Sequence, residues 1–206
     1  PLVVNPAMYE KLPYAALRDF APVATTVKFP GMLVAHPSLP ARSVAEVIAL
    51  AKAKPGGISY ASAGIGNFSH LAMELFALNT GIKLLHVPYK GTGPGMTALL
   101  AGEIQVLVVG LATVLPYIKA KSDKLKVLAT MGAKRAAVAP DLPTVAESGY
   151  PGFEAMNWYA FVAPGKTPPE ILDYWNRELV KALSDPKVKA DLAQHGLDPA
   201  PGTREE

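Results

Sequence analysis

Two short stretches of this chain carry residue types able to hold a small anion. The first is Ser62-Ala63-Gly64-Ile65-Gly66-Asn67-Phe68-Ser69, and the second is Tyr89-Lys90-Gly91-Thr92-Gly93. In the first, two glycines let the backbone approach a bound group closely, and Ser62, Asn67 and Ser69 add short polar side chains. If a helix begins there, its free amides and its dipole both favour a carboxylate or a phosphate. In the second, Lys90 supplies a cation and Thr92 a hydroxyl donor. The plainer alternatives are a simple strand-to-helix turn for the first stretch and a solvated lysine in a flexible turn for the second. Neither stretch has the G-x-G-x-x-G spacing or the Gly-Lys-Ser/Thr of a phosphate loop, which argues against dinucleotides and nucleoside triphosphates.

Covalent chemistry is poorly served. Ser69 and His70 are adjacent, so on a helix they face different directions, and no G-x-S-x-G elbow or orienting acid accompanies them. A small serine esterase or amidase using Ser62 or Ser69 remains as an alternative, and a protein-interaction module as a third reading. His36, His86 and His195 are dispersed without metal-ligand spacing, and there is no Cys, so neither a metal nor a cofactor is expected. Solvation or capping accounts for Asp123, Asp141 and Glu147, and packing for Trp158 and Trp175.

The elements that must position the two stretches are legible from periodicity. Gly31 to His36 is a short apolar run between prolines, the pattern of a buried strand. Ser43 and Glu46 form an S-x-x-E capping box ahead of a helix that Pro55-Gly56-Gly57 ends. Ile58 to Ser62 predicts a strand. Phe68 to Thr80 predicts a helix with Leu71, Leu75 and Leu78 at helical spacing and Gly81 as a left-handed cap. The unit then recurs: a strand over 83–87, a loop over 88–94, a short helix over 95–101, a strand over 104–109, a helix over 114–120 and a strand over 125–130. Such alternation predicts βαβ units and a mainly parallel sheet covered on both faces. A short helix reaching about Ser148 and an apolar run from Trp158 to Ala163 follow. Thr167 and Glu170 suggest a second capping box with Pro168 first in its helix, directing Ile171, Leu172, Trp175, Leu179 and Leu183 inward. Asp185-Pro186 caps a last helix that ends at Gly196. The α/β block spans about 31–133, and the terminal segments read as parts of a different packing unit.

Composition sets the outer limits. The chain has 206 residues, 50% hydrophobic and 18% charged, with a net charge of +3, 20 prolines and no cysteine. That suits one large or two small globular domains with rigid, proline-rich connections and no disulfide framework. The longest apolar stretch, Val106 to Leu115 with Gly110 and Thr113 admitted, is about half of the roughly 20 residues a bilayer span needs. Lysines are scattered with no basic block interleaved with aromatics, so nucleic acid is not an expected partner. The opening Pro1-Leu-Val-Val-Asn5-Pro reads like the end of a strand running into a turn. The closing Thr203-Arg-Glu-Glu206 reads like the start of a helix. Both ends suggest a piece of something longer.

Ordered segments along nearly the whole chain resemble one family. They are Asn5-Pro-Ala-Met-Tyr9, Lys11-Leu-Pro-Tyr14, Asp19-Phe-Ala-Pro-Val23, Tyr60-Ala-Ser-Ala-Gly64 with His70-Leu71, and His86-Val-Pro-Tyr-Lys-Gly91. Further on come Pro116-Tyr-Ile-Lys-Ala120, Lys134-Arg135, Pro140-Asp-Leu-Pro-Thr-Val-Ala-Glu147, Gly149-Tyr-Pro-Gly-Phe153 and Ala163-Pro164. The family is that of the periplasmic solute-binding proteins of tripartite tricarboxylate transporters, the Bug proteins. The resemblance implies an α/β protein with the type II periplasmic-binding-protein fold, two lobes closing like a Venus flytrap on a small di-, tri- or aromatic carboxylate, which is passed to membrane permease subunits. It puts the family's anion loop on Ser62 to Ser69 and its V-P-Y-K-G loop on Val87 to Gly91, so the implied ligand-binding residues are Ser62, Ala63, Gly64, Ile65, Gly66, Asn67, Ser69, Tyr89, Lys90 and Gly91.

Two departures accompany the resemblance. Family members commonly carry an Asp in the segment Val106 to Gly110, where position 109 is Val, which makes an amino-acid ligand less expected. They also begin with a strand, a P-G-G-bearing loop and further βα units ahead of anything matching Pro1, and end with a helix after the T-x-E-E segment. The expectation is a truncated receptor: a complete second lobe over 31–153 and a remnant of the first over 1–30 and 154–206. Ligand binding would be impaired, and the exposed edges would be open to a homodimer or a domain swap.

Overall fold

A computed structural model describes residues 2–205. Its elements run α1 (Asn5–Met8), α2 (Ala16–Asp19), β1 (Phe20–Ala35), α3 (Val44–Ala53), β2 (Ser59–Ser62), α4 (Phe68–Thr80), β3 (Leu85–Pro88) and α5 (Thr92–Leu100). Then follow β4 (Val106–Gly110), α6 (Leu111–Lys119), β5 (Lys126–Thr130), β6 (Met156–Pro164), α7 (Pro169–Ser184), α8 (Pro186–Gln194) and β7 (Asp198–Pro199). They fall into two units, Pro1–Phe29 with Asn157–Glu206, and Pro30–Met156.

The Pro30–Met156 unit is built on strands in the order β3-β2-β4-β1-β5. β2 runs parallel to β3 and β4, whereas β1 is antiparallel to β4 and β5. The sheet is therefore mixed: β2, β3, β4 and β5 share one direction, as expected, and β1 runs against them. β1 is the exception to the expected direction, and it lies between β4 and β5 instead of beside β2, the strand that follows it in sequence. Along β1, Met32 and Val34 enter one apolar cluster with Leu99, Leu107, Val109 and Val114. Leu33 and Ala35 enter another with Val47, Met73, Phe76, Val106 and Val108. Alternate side chains thus feed two cores, as expected of a strand covered on both faces.

Local signals set several boundaries. Ser43 Oγ accepts from Glu46 N at 3.2 Å, while the Glu46 carboxylate accepts from Arg42 N instead of the Ser43 amide. Gly81 closes α4 at φ 67°. The buried face of α4 is not the expected leucine stripe: Ala72, Met73, Phe76 and Thr80 face inward, and Leu75 and Leu78 are exposed. Both stripes have helical spacing, and the sheet selects the one that fits it. The loop expected over 88–94 ends early, because Thr92, Gly93 and Pro94 already belong to α5; proline is tolerated in a first turn, where its missing N–H has no partner to lose. The short helix expected before Ser148 is instead a set of turns. Thr144 N donates to Glu147 Oε2 and Glu147 N to Thr144 Oγ1, with Gly149 leaving at φ 105°.

In the other unit, the first half of β1 pairs with β6 and with β7. This half was not expected as a strand, since Pro22 and Pro30 interrupt it. The opening residues form turns and α1 rather than the end of a strand, with Pro1 outside the described residues. No helix starts at Thr203 through Glu205; Arg204 instead reaches Asp173 at 2.6 Å, and Glu206 lies outside the described residues. The second capping box does not form. Pro168 is the N-cap of α7 and Pro169 the first helical residue, so the amides a Thr would cap are partly missing. Leu172 and Leu183 are buried, but Ile171 and Trp175 are exposed, as is Trp158 on β6. Asp185 caps α8 as expected, accepting from Lys187 N and Val188 N.

Candidate functional site

Because β2 and β3 are parallel with Ser62 opposite Pro88, the segments that follow them leave the sheet side by side. Tyr89 N donates to Ser62 O at 2.9 Å and ties the two together. Gly64 lies at φ 126°, Gly66 at 75° and Gly91 at 117°. A side chain at Gly64 would be strained there and would face Tyr89 O at 3.6 Å.

The polar groups of the first loop are largely spent on its own shape. Ser62 has no exposed surface; its Oγ accepts from Gly64 N at 3.3 Å and lies 2.6 Å from His86 Nε2. Ser69 is buried, and its Oγ accepts from Ala63 N at 2.9 Å. Asn67 is the N-cap of α4, with Oδ1 accepting from Ser69 N and its own amide donating to Gly64 O. Gly66 N donates to His70 Nδ1 at 3.2 Å. Among the described residues, the amides of Ile65, Phe68 and His70 are left without an internal acceptor. Ile65 and Lys90 are exposed, Tyr89 is half-buried, and Lys90 forms no ion pair among the described residues.

Beneath the loop lies a cluster that the sequence reading did not assemble. The His86 ring stacks on Tyr60, with centroids 4.7 Å apart, and on His70 at 4.3 Å. The Tyr60 hydroxyl donates to Glu74. Burial, followed by that carboxylate, pushes the Tyr60 phenol well above its usual range, so it stays protonated. Burial and the nearby His70 hold the His86 imidazole below its usual value, against the opposing pull of Glu74. The signal was available in part. Pairing the strand at Ile58 to Ser62 with that at 83–87 brings His86 opposite Tyr60, and His70 follows Gly66 by one helical turn.

The Ser62–His86 pair has the atoms of a hydroxyl nucleophile and its base, but a hydroxyl without exposed surface gives no substrate a path to it. No group of three His, Asp or Glu side chains among the described residues is placed to hold a metal. Val109 is packed into the apolar core. A cavity of about 390 Å³ lined by Tyr117, Ile118, Leu125, Val127, Val138 and Leu142, among others, shares no residue with either loop. No helix among the described residues is long and apolar enough to cross a membrane.

Residues 1–205 match the tripartite tricarboxylate transporter family receptor. Protein BugT of Bordetella pertussis is 36% identical over 203 residues, which are 98% of this chain and 62% of BugT. Rpa4515 of R. palustris, solved with adipate, superposes with a TM-score of 0.89 at 32% identity, over 96% of this chain and 65% of that one. MatC of Rhodopseudomonas palustris, solved with bound malate, gives 0.83 at 29% identity, over 93% and 65%. The chain thus spans about three fifths of the length of the curated relatives it matches. With an α/β fold shared with these solved structures and a family match over residues 1–205, the chain belongs to the tripartite tricarboxylate transporter family of receptors.

Proposed function

We propose that this chain binds a small carboxylate in the periplasm and serves the membrane permease of a tripartite tricarboxylate transporter. It does so by reversible binding, without turnover. The ligand carboxylate meets the Ile65, Phe68 and His70 amides, with the Lys90 ammonium and the backbone of Tyr89 and Gly91 beside it. Ser62, Ala63, Gly64, Gly66, Asn67 and Ser69 hold that surface in shape. Residues 31–153 are the second lobe of the receptor, and 1–30 with 154–206 contribute to the first.

The observation that carries this reading is the set of three amides without internal acceptors on a loop whose other backbone N–H groups are paired. Such amides at a helix start are ready-made anion donors. Support comes from adipate in Rpa4515 and malate in MatC, both at about 30% identity to this chain. Titration of the labelled chain with adipate and with malate, followed by amide NMR, tests it. The Ile65, Phe68 and His70 amides are expected to shift saturably with either acid and not with adipamide, the uncharged diamide. Shifts spread elsewhere, or equal shifts with adipamide, would overturn the reading.

A further inference from the structure

We propose that the stacked imidazoles of His70 and His86 are a pH-sensitive clamp on the anion loop, holding the Gly64 and Gly66 amides while both rings are neutral and releasing them when the pair takes up a proton. This rests on the loop being the carboxylate site and adds a regulatory layer to it.

The hydrogen bonds define the protonation states the clamp requires. Gly66 N–H donates to His70 Nδ1 at 3.2 Å, so that nitrogen must carry a lone pair and the ring proton must sit on Nε2. The Ser62 hydroxyl accepts from Gly64 N at 3.3 Å, and its own proton is then free to go to His86 Nε2, 2.6 Å away. That assigns His86 the neutral tautomer with its proton on Nδ1. A proton added to His70 Nδ1 sets one N–H against another. A proton added to His86 Nε2 makes that nitrogen a donor and leaves the fully buried Ser62 hydroxyl proton in search of a new acceptor. Both events act on the two glycines whose positive φ values shape the loop.

The two rings are stacked, 4.3 Å apart and 26° from parallel, so a charge on one faces the other. Among the described residues, the other titratable groups meeting them are Tyr60 of β2, stacked on His86, and Glu74 of α4, one turn after His70. Tyr60 does not ionise in the relevant range, and Glu74 is already engaged by the Tyr60 hydroxyl. Burial, followed by the nearby His70, holds the His86 imidazole below its ordinary range, consistent with a clamp closed at neutral pH.

The full ligand-free chain, followed by amide and imidazole NMR from pH 8 to pH 5, provides the test. The Gly64 and Gly66 amides are expected to move together, in one transition shared with the ring signals of His70 and His86. Amides that stay still while the rings titrate would overturn the clamp. In H70N/H86Q, Asn Oδ1 and Gln Oε1 replace the two accepting nitrogens without titrating, so the transition is expected to vanish. Its persistence would equally overturn the clamp. Adipate affinity is then compared at pH 7.5 and pH 5.5. The unsubstituted chain is expected to lose at least about tenfold more than H70N/H86Q, the protonation of adipate itself being common to both. If adipate binds at neither pH, the carboxylate reading fails while the ligand-free titration still decides the clamp.

Discussion

Two strands of similar hydrophobicity meet opposite fates in the two units. In the Pro30–Met156 unit, Met32 to Ala35 of β1 have no exposed surface, and helices line both faces of their sheet. In the other unit, β6 carries Trp158, Tyr159, Phe161 and Val162 with much of each side chain exposed, although neighbouring residues of a strand point to opposite faces. Apolar patterning thus locates a strand, but the layers laid over it decide whether it contributes a core. The loop proposed to hold the anion sits in the unit where that condition is met.

The largest test of this contrast is truncation of matched aromatics. Phe76→Ala in the well-covered unit is expected to cost about 3–5 kcal/mol in urea unfolding, whereas Trp175→Ala on exposed α7 is expected to cost less than about 1 kcal/mol. Equal losses would break the comparison. A smaller effect separates two left-handed glycines. Gly64→Asn is expected to cost about 1–3 kcal/mol, because φ 126° admits little but glycine, and Gly196→Asn less than about 1 kcal/mol at φ 68°, which asparagine tolerates.

Helix caps sharpen the contrast further. Ser43→Ala and Asp185→Ala each remove a side-chain acceptor worth about 1 kcal/mol. The α3 loss is expected in global unfolding because that helix buries Val44, Val47, Ile48 and Ala51. The α8 loss is expected mainly as faster local hydrogen exchange, since α8 buries no residue. The smallest effect is on pH dependence. His86 binds its proton less readily folded than unfolded, so its contribution is present above the ordinary imidazole range and is lost as pH falls through the lowered folded value. Melting between pH 7.5 and pH 5 should therefore show a destabilisation that H86Q reduces. Asp19, held near 2 by Arg18 and by Ala15 N, makes a contribution that is constant across that window and is lost only as pH drops from about 4 toward 2.

What could be read in advance follows from how local each cause is. Ser43 with Glu46, Gly81, and Asp185 with Pro186 act within one turn of chain, and their boundaries hold. The α4 face was misjudged because Leu71, Leu75 and Leu78 compete with Ala72, Met73 and Phe76 at the same period, and only the packed sheet discriminates between them. The direction of β1 depends on which strands become neighbours, which no window of sequence contains. The loops at Ser62–Ser69 and Tyr89–Gly91 were legible because they follow strands. The His86–Ser62 contact was not, since it requires the register of a parallel pair formed across α4.

The placement of β1 has a consequence for how the chain acquires its structure. It is the earliest strand of the Pro30–Met156 unit to be synthesised, yet its partners β4 and β5 come late. Leu33 must wait for Val108 on one side and Ala129 on the other, and the register shift between Leu33 and Val34 cannot be set until β5 arrives. Pairing at such separation makes folding slow, because loop closure must precede the contacts that reward it. During that wait the run Met32 to Ala35 is an unpaired, uncharged edge, the kind of segment that sticks to other chains. A segment that ends without exposed surface is thus an aggregation hazard during synthesis.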